Sequence, residues 1–405
     1  MPPYAAKFNW VIVRLSGEIG VKGVWTRLDY ERRLRRNMKN FLKNRQVPYQ
    51  KIKRERCRFY VKTQDAEETA CELAKVFGVS STSPALETTS KLEDIVVDTA
   101  RLADGLLHEG NRFAVRCRRV GKHPYSSMDV CREIGKQVLL RFGERDVTVD
   151  LEHPNVTLYI EVRGNHAFLY SEKVHGVGGF PLGSQAKVLC LLSGGVDSSV
   201  ACWLAMKRGC PILSVYFDNA PFTDETATER VLSVAKILFD WALGFPRKLY
   251  VVPHGQNLTA FREKCNKRLT CILCKRMMYR IAEKIADMKH AEGIVTGESV
   301  GEQASQTLHN LRVLNEAVKR YPVHRPLFGF DKAETERLAR KIGTYEPSAH
   351  KVKGCTAVPR KPTTRAKLQE VKAEEERLNI EEMVEASVKS LRIINMSMSN
   401  ELRKT

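Results

Sequence analysis

The sequence has 405 residues, of which 43% are hydrophobic and 28% charged. This balance excludes a disordered chain and allows roughly two to four globular domains. Lys and Arg outnumber Asp and Glu by 67 to 47, and the formal net charge of +20 favours a polyanionic partner. No apolar run approaches the roughly 20 residues that span a bilayer, and the first residues lack signal-peptide organisation. We therefore expect a cytoplasmic protein without a membrane partner, whose 11 cysteines serve as thiols or metal ligands rather than in disulfides.

The N-terminal segments combine predicted strands with a dense run of positive charge. Residues 8–15 follow a strand pattern, residues 25–45 form a basic helical stretch, and residues 51–62 alternate basic and apolar side chains as one half-exposed strand does. Between Arg32 and Lys62 there are 13 Lys or Arg and one acidic residue. This density favours an RNA-facing surface, although charge alone leaves DNA and anionic lipid open.

The middle of the chain alternates helices and strands around one polar turn. The patterns predict helices over 66–78 and 91–107, a strand over 113–120, and strands over 147–153 and 156–164 that are joined by a turn at 153–155. The loop after the first of these strands contains Lys122, His123 and Tyr125. Ser126 and Ser127 follow, where a helix would be capped. Cationic and aromatic side chains around such a turn suit contacts with phosphate and sugar.

A glycine-rich segment, residues 175–183, marks the main predicted domain boundary. Beyond it, short apolar runs alternate with helical patterns, which predicts a parallel sheet with helices on both faces. Residues 365–391 read as a helix that is rich in both signs of charge.

The stretch SGGVDSS, residues 193–199, lies between a predicted strand and the helix that follows it. In a parallel sheet, ligands bind at the carboxyl ends of the strands. Glycines allow the backbone to approach an anion, and the start of a helix offers unpaired N–H groups. Because the chain contains no GxxxxGK[ST] sequence, the usual loop for γ-phosphate transfer is absent. The stretch therefore predicts a phosphate site of another kind.

SGGVDSS resembles the PP-loop of ATP pyrophosphatases, which cleave ATP between its α- and β-phosphates. Further stretches resemble the tRNA 4-thiouridine synthetase family over nearly the whole chain, to about residue 360. They are VRLSGEIGVKG (13–23), GKHPYSS (121–127), YIEVRGNHAFLY (159–170), HGVGGFPLG (175–183), TGESVGEQASQTLHNL (296–311), RPLFGFDKAET (325–335) and IGTYEPS (342–348).

The resemblance implies an α/β protein with three domains and a tail. These are an N-terminal ferredoxin-like α+β domain at 1–75, a THUMP α/β RNA-binding domain at 76–175, a PP-loop parallel-sheet α/β catalytic domain at 176–364 and a charged helical tail at 365–405. It also implies that the partner is tRNA and that the chain can form a homodimer.

The resemblance places ATP and Mg²⁺ at the PP-loop. Asp197 is the expected catalytic acid, which holds Mg²⁺ against the phosphates. The implied nucleotide contacts are Leu191, Leu192, Ser193, Gly194, Gly195, Asp197, Ser198, Tyr216, Phe217, Lys275, Gly297 and Gln306.

Cys271, Cys274 and the distant Cys355 form the second chemical feature of the sequence. The spacing leaves three interpretations open. The three cysteines hold an iron–sulfur cluster with one open iron, or Cys265 joins them in a Cys₄ zinc site, or Cys355 carries a persulfide that a second cysteine resolves.

The family resemblance favours the first interpretation. The segment after Cys355 leaves no room for a rhodanese domain, and family members without that domain ligate a [4Fe–4S] cluster with these three cysteines. Sulfur would then come from sulfide, or from a donor such as a cysteine desulfurase.

The expected reaction is adenylation of O4 of a tRNA uridine, at position 8 in this family, followed by its replacement with sulfur to give 4-thiouridine. The alternatives are a related PP-loop thiolase that acts on another tRNA base, a non-catalytic THUMP-type RNA-binding protein, and a sulfur carrier for thiazole synthesis.

Overall fold

The computed structural model describes residues 8–55, 57–350 and 352–397. The chain forms two compact units, Met1–Gly179 and Phe180–Thr405, and the division falls inside the glycine-rich segment. Among the described residues, no helix has the length and apolar composition needed to cross a membrane.

Within its described residues, the first unit is built on one mixed sheet with five α-helices. Its elements are β1 (Trp10–Leu15), α1 (Gly17–Gly20), α2 (Val24–Arg45), β2 (Lys51–Glu55), β3 (Arg58–Lys62), α3 (Ala66–Ala74), β4 (Val79–Thr89), α4 (Leu92–Asp104), β5 (Arg112–Val120), α5 (Ser127–Phe142), β6 (Thr148–Val149), β7 (Val156–Arg163), β8 (His166–Tyr170) and β9 (Val174–His175). The strand order is β2-β3-β1-β4-β8-β7-β5-β6, with β9 also paired to β4. Strand β4 pairs with β1 along its first part and with β8 along its last, so it joins the two halves of the unit.

Local sequence chemistry explains the helix starts of this unit. Ser126 caps α5, and its side chain and that of Asp129 satisfy each other's backbone N–H groups in a capping box. This confirms the cap predicted at Ser126. Helix α2 buries Leu34, Met38 and Phe41 against the sheet and leaves most of its basic side chains outside.

Two strand predictions in this unit were wrong. Residues 51–62 form a hairpin of β2 and β3 rather than one strand, and the chain reverses at Cys57, whose φ is 65°. Strand β2 alternates basic and apolar side chains, whereas β3 buries three apolar residues in succession, Phe59 to Val61, and this change of pattern marks the second strand. Residues 147–153 give only the short β6, which pairs with β5 rather than with β7. The Asp150 carboxylate accepts the backbone N–H groups of Glu152 and His153, so the strand ends in a turn.

The second unit is a six-stranded sheet with helices on both faces. Its elements are β10 (Val188–Leu191), α6 (Val196–Lys207), β11 (Ile212–Asp218), α7 (Glu225–Trp241), β12 (Lys248–Pro253), α8 (Gly255–Lys264), α9 (Thr270–Lys289), β13 (Ile294–Val295), α10 (Leu308–Asn315), β14 (Val323–His324), α11 (Lys332–Ile342), α12 (Tyr345–Ala349), α13 (Leu368–Glu375), α14 (Ile380–Lys389) and β15 (Arg392–Asn395). The strand order is β14-β13-β10-β11-β12-β15, and all neighbouring pairs are parallel except β12 with β15.

Adjacent residues of the central strand show how the sheet separates two helical layers. Leu189 belongs to the apolar cluster formed with α9, whereas the next residue, Cys190, contacts Cys202 of α6. Because successive side chains of a strand point to opposite faces, α6 and α9 cover opposite sides. The parallel sheet with helices on both faces is therefore confirmed.

The predicted tail helix is two helices and a strand that belong to the second unit. Asn379 interrupts the helical run, because its side chain accepts the backbone N–H of Glu382 and starts α14. Val371 and Val384 pack into the core beside α9. The tail therefore contributes to the packing of the second unit.

Candidate functional site

The PP-loop follows the central strand β10 and leads into helix α6. Strand β10 lies between β13 and β11 in the sheet. The amide N–H and the hydroxyl of Ser193 both donate to Ser198 Oγ at 3.1 Å, and Ser198 donates to the Gly195 carbonyl at 3.0 Å. Ser198 thus holds the loop closed on itself. This leaves the first N–H groups of α6 free to meet an anion.

Two glycines are required here by close contacts. Gly194 has a φ of 73°, and a Cβ at this position would lie 2.9 Å from Val231 Cγ2 of α7. A Cβ on Gly297, which follows β13, would lie 2.5 Å from the backbone nitrogen of Ser198. The segment after β13 therefore rests directly on the start of α6, which only glycine permits.

The stretch IGTYEPS, residues 342–348, contacts the PP-loop through Thr344. Ser199 is fully buried; its hydroxyl donates to the Val196 carbonyl at 2.7 Å and lies 3.0 Å from Thr344 Oγ1, whose hydroxyl can donate to it. Thr344, in the segment IGTYEPS, is itself fully buried. This contact ties the first turn of α6 to α12.

Asp197 has a partner that the sequence analysis did not single out. The Lys332 ammonium lies 3.1 Å from its carboxylate and 2.8 Å from the carboxylate of Glu302. Burial raises the pKa of Asp197, although Lys332 acts in the opposite direction. A carboxylate that is disfavoured in its charged form and held by a displaceable ammonium is suited to a divalent cation.

Lys275 belongs to a buried charge network centred on Glu298. The Glu298 carboxylate lies 3.0 Å from the Lys275 ammonium, accepts the Tyr279 hydroxyl at 2.6 Å and lies 2.9 Å from the Arg325 guanidinium. Burial disfavours its charge, but Lys275 and Arg325 outweigh that effect and lower the pKa of Glu298. Glu298 therefore stays ionised and fixes the position of Lys275.

A cavity of about 390 Å³ joins the PP-loop to the three cysteines. The predicted residues that line it are Leu191, Ser193, Gly195, Asp197, Ser198, Lys275, Gly297, Gln306, Cys271, Cys274 and Cys355. The structure therefore brings most of the predicted nucleotide contacts and all three cysteines to one cavity.

Four predicted nucleotide contacts do not line this cavity. The Tyr216 hydroxyl lies 3.4 Å from Thr228 Oγ1, and the Phe217 ring packs edge-on against His254. Leu192 is buried, and Gly194 lies behind the loop against α7. A role in nucleotide binding for these residues therefore rests on backbone atoms or on shaping the loop.

Two buried side-chain oxygens of residues that line the cavity have no hydrogen-bond donor among the described residues. Gln306 Oε1 and Asn219 Oδ1 are buried and have no hydrogen-bond partner among the described residues. Both residues line the cavity. Because a buried carbonyl oxygen without a partner costs free energy, these atoms mark places where N–H or O–H groups of a ligand would bind.

Cys271 and Cys274 lie one turn apart at the start of α9, and Cys355 approaches them from the segment after α12. Burial raises the pKa of both helix thiols, and the neighbouring cysteines add to the effect. Cys274 also contacts His254, which the sequence analysis did not single out. The thiols are therefore protonated in the metal-free chain, and a metal would have to displace their protons.

Cys265 stands apart from the other three. Its thiol donates to the Glu374 carbonyl at 3.4 Å, and it does not line the cavity. Within the described residues, no three His, Cys, Asp or Glu side chains are grouped to hold a single metal ion. The three thiols Cys271, Cys274 and Cys355 line one cavity, and cysteine thiolates are the usual ligands of iron–sulfur clusters.

Comparison with known proteins gives a consistent result over both units. The chain matches the models of the ThiI ferredoxin-like domain at residues 10–83, the THUMP domain at 89–172 and the thiamine biosynthesis protein (ThiI) at 183–380. A probable tRNA sulfurtransferase of Methanosarcina acetivorans is 43% identical over 394 residues, which cover 96% of this chain and 94% of that protein. One from Methanosarcina mazei is 41% identical over 392 residues, with 96% of each covered.

Among solved structures, the crystal structure of a 4-thiouridine synthetase–RNA complex with bound ATP has a TM-score of 0.85 to this chain. It is 31% identical, and the match covers 96% of this chain and 100% of that one. The family resemblance and the three-part α/β fold expected from the sequence are thereby confirmed.

Proposed function

Because this chain belongs to the tRNA sulfurtransferase family, we propose that it thiolates tRNA at the expense of ATP. It adenylates O4 of a tRNA uridine, expected at position 8, and replaces that oxygen with sulfur to give 4-thiouridine. The observation that carries the proposal is the cavity that joins the PP-loop to Cys271, Cys274 and Cys355. An intact PP-loop beside three clustered cysteines is unexpected in a purely RNA-binding protein.

The first half-reaction takes place at the PP-loop. The uridine O4 attacks the α-phosphorus of ATP and pyrophosphate leaves, which turns a poor leaving group into AMP. The N–H groups at the start of α6 and the Lys275 ammonium stabilise the negative charge on the phosphates. Asp197 would hold Mg²⁺, which would replace the Lys332 ammonium at its carboxylate. Gln306 Oε1 offers an acceptor to a donor such as the adenine amino group.

The second half-reaction takes place at the cysteine end of the cavity. A sulfur nucleophile attacks C4 of the activated uridine, and AMP departs. A cluster bound by Cys271, Cys274 and Cys355 would supply an open iron for sulfide taken from solution, whereas a donor such as a cysteine desulfurase would supply sulfur as a persulfide. Leu258 and Ala357 pack against the Cys274 side chain and shield it from water.

Three further points belong to the proposal. The substrate and ATP imply action in the cytoplasm, and the family resemblance implies a homodimer. If the second half-reaction instead uses a persulfide, Cys355 is its carrier. A related thiolase that modifies another tRNA base would share the whole site and differ only in its target.

The decisive experiment compares the unaltered chain with Asp197→Ala and Cys355→Ser. We expect tRNA-dependent pyrophosphate release from the unaltered chain and from Cys355→Ser, and none from Asp197→Ala, which should still bind tRNA. Cys355→Ser should form no 4-thiouridine. If 4-thiouridine still formed in that variant, both sulfur mechanisms would be wrong. If the unaltered chain bound tRNA but released no pyrophosphate, it would be a binding protein.

The sulfur chemistry is tested on protein purified without oxygen. Iron and acid-labile sulfide, with visible absorption, would support the cluster. Stoichiometric zinc without colour would make the cysteines structural, and metal-free protein would point to a persulfide on Cys355.

A further inference from the structure

A second concave surface opens beside the catalytic cavity and is lined by exposed cations. Its volume is about 640 Å³, and none of the described residues that line it is acidic. We call it the basic cleft, and its cationic residues are Arg262, Lys267, Arg268, Arg360 and Lys361.

These five side chains carry charge that the fold does not neutralise. None of them forms an ion pair among the described residues, whereas Lys275, Arg276 and Lys332 of the same unit are paired with carboxylates. Arg262 only lies over the Phe222 ring, at 5.2 Å. Like charges gathered on one concave surface repel one another and raise the local potential. A bound polyanion relieves this repulsion.

The basic cleft meets the catalytic cavity at its cysteine end. Thr270, Ala357 and Val358 line both spaces, and Thr270 directly precedes Cys271 in helix α9. None of the PP-loop residues lines the cleft. The phosphates of ATP would therefore bind at the PP-loop and not in the basic cleft. An anion bound in the basic cleft would lie beside the cysteines, where sulfur is transferred.

The substrate itself supplies such an anion. Each nucleotide carries a backbone phosphate, so a uridine that enters the cavity brings its flanking phosphates to the mouth. We propose that the basic cleft binds the tRNA backbone beside the target uridine and guides that base into the cysteine end of the cavity. This inference rests on the proposed function. The contacts are to phosphates, which position the RNA without reading its sequence.

The test uses the full chain with Arg360→Glu and Lys361→Glu combined. Both side chains are exposed and form no hydrogen bond or ion pair among the described residues. The matched control combines Arg337→Glu and Lys341→Glu on the exposed side of α11, which makes the same change in net charge. The readout is tRNA-dependent pyrophosphate release in a single turnover without any sulfur donor, so a donor protein cannot influence it.

We expect the tRNA concentration for half-maximal rate to rise about tenfold or more in the cleft variant. The dependence of log affinity on log salt should become shallower by about 0.7 to 0.9 per lost phosphate contact. ATP binding without RNA should stay unchanged, and the control should match the unaltered chain.

Three results with the cleft variant would overturn the inference. A cleft variant that behaves as the control does would show that the cleft makes no contact with RNA. An equal loss of ATP binding without RNA would mean that the substitutions disturb the nucleotide site. Normal pyrophosphate release combined with thiolation that fails only when a donor protein supplies sulfur would assign the cleft to that donor. If the unaltered chain released no pyrophosphate with tRNA, the proposed function would fail and this inference with it.

Discussion

The imidazole Nε2 of His254 lies 3.3 Å from the sulfur of Cys274, in a part of the second unit where both side chains are buried. The Asn257 amide donates to His254 Nδ1 at 3.1 Å and to Ser387 Oγ at 3.0 Å. Burial lowers the pKa of His254 to about 3, so the ring is neutral. Since Nδ1 accepts a hydrogen bond, Nε2 carries the proton and donates it toward the sulfur.

This contact predicts that His254 positions Cys274 and stabilises it as a thiolate ligand. His254→Phe keeps the size of the ring and removes the donor, whereas His254→Gln keeps an N–H group. We expect the Phe variant to bind iron about 10- to 100-fold more weakly, and the Gln variant to retain most of the affinity. Iron transfer to a chelator from anaerobically purified protein measures this. Equal iron retention in both variants would show that the hydrogen bond is irrelevant to the ligand.

Ionised Asp197 should lower the stability of the folded chain in the absence of nucleotide. Burial raises its pKa above the unfolded value, so the folded chain holds the proton more tightly and loses stability as the pH rises through that raised pKa. Asp197→Asn removes the buried charge, and we expect its melting temperature at neutral pH to equal or exceed that of the unaltered chain. The difference should narrow as the pH falls and Asp197 becomes protonated. A clear drop in melting temperature would mean that the Lys332 ion pair outweighs burial.

Gly297→Ala should impair ATP binding through a backbone clash. The added Cβ would lie 2.5 Å from the Ser198 nitrogen, so β13 and the start of α6 would have to separate. Overpacking of this kind costs about 1–3 kcal/mol, which would correspond to about 5- to 150-fold in the ATP dissociation constant. Gly329→Ala is the control, because a Cβ there meets nothing within 4 Å. Isothermal titration with ATP separates the two, and unchanged affinity in Gly297→Ala would refute the contact.

The ion pair between Arg276 and Glu375 should hold the C-terminal helices in place. Arg276 is fully buried, and its guanidinium lies 2.7 Å from the Glu375 carboxylate. Glu375→Ala leaves that charge without its main partner, although Glu316 remains 3.0 Å away. We expect a loss of about 3–5 kcal/mol in the free energy of unfolding. Glu376→Ala, at the exposed neighbouring position, should change it little. Urea denaturation of both variants checks this, and equal values would contradict it.

The position of the PP-loop could be predicted from one contiguous stretch, whereas the partners of Asp197 and Cys274 come from distant stretches and could not. The PP-loop follows a buried strand and precedes a helix, so its place in the sheet follows from local order. Lys332, in contrast, reaches Asp197 from 135 residues away, and His254 meets Cys274 only because α8 packs on α9. Tyr216 and Phe217 were expected to contact the nucleotide by resemblance alone, and their side chains pack against Thr228 and His254.

The pairing of β15 with β12 bears on the order in which the chain can fold during synthesis. The first unit completes its sheet with β9, before any strand of the second unit has been made. The second unit cannot cover the edge of β12 until residues 392–395 have left the ribosome, after every other strand of that sheet. Until then, the backbone groups of β12 present an open edge to other chains. During synthesis, the sheet of the first unit is therefore complete while β12 of the second unit still has an unpaired edge. At that stage the second unit needs either chaperones or rapid completion of the chain to avoid pairing with other chains.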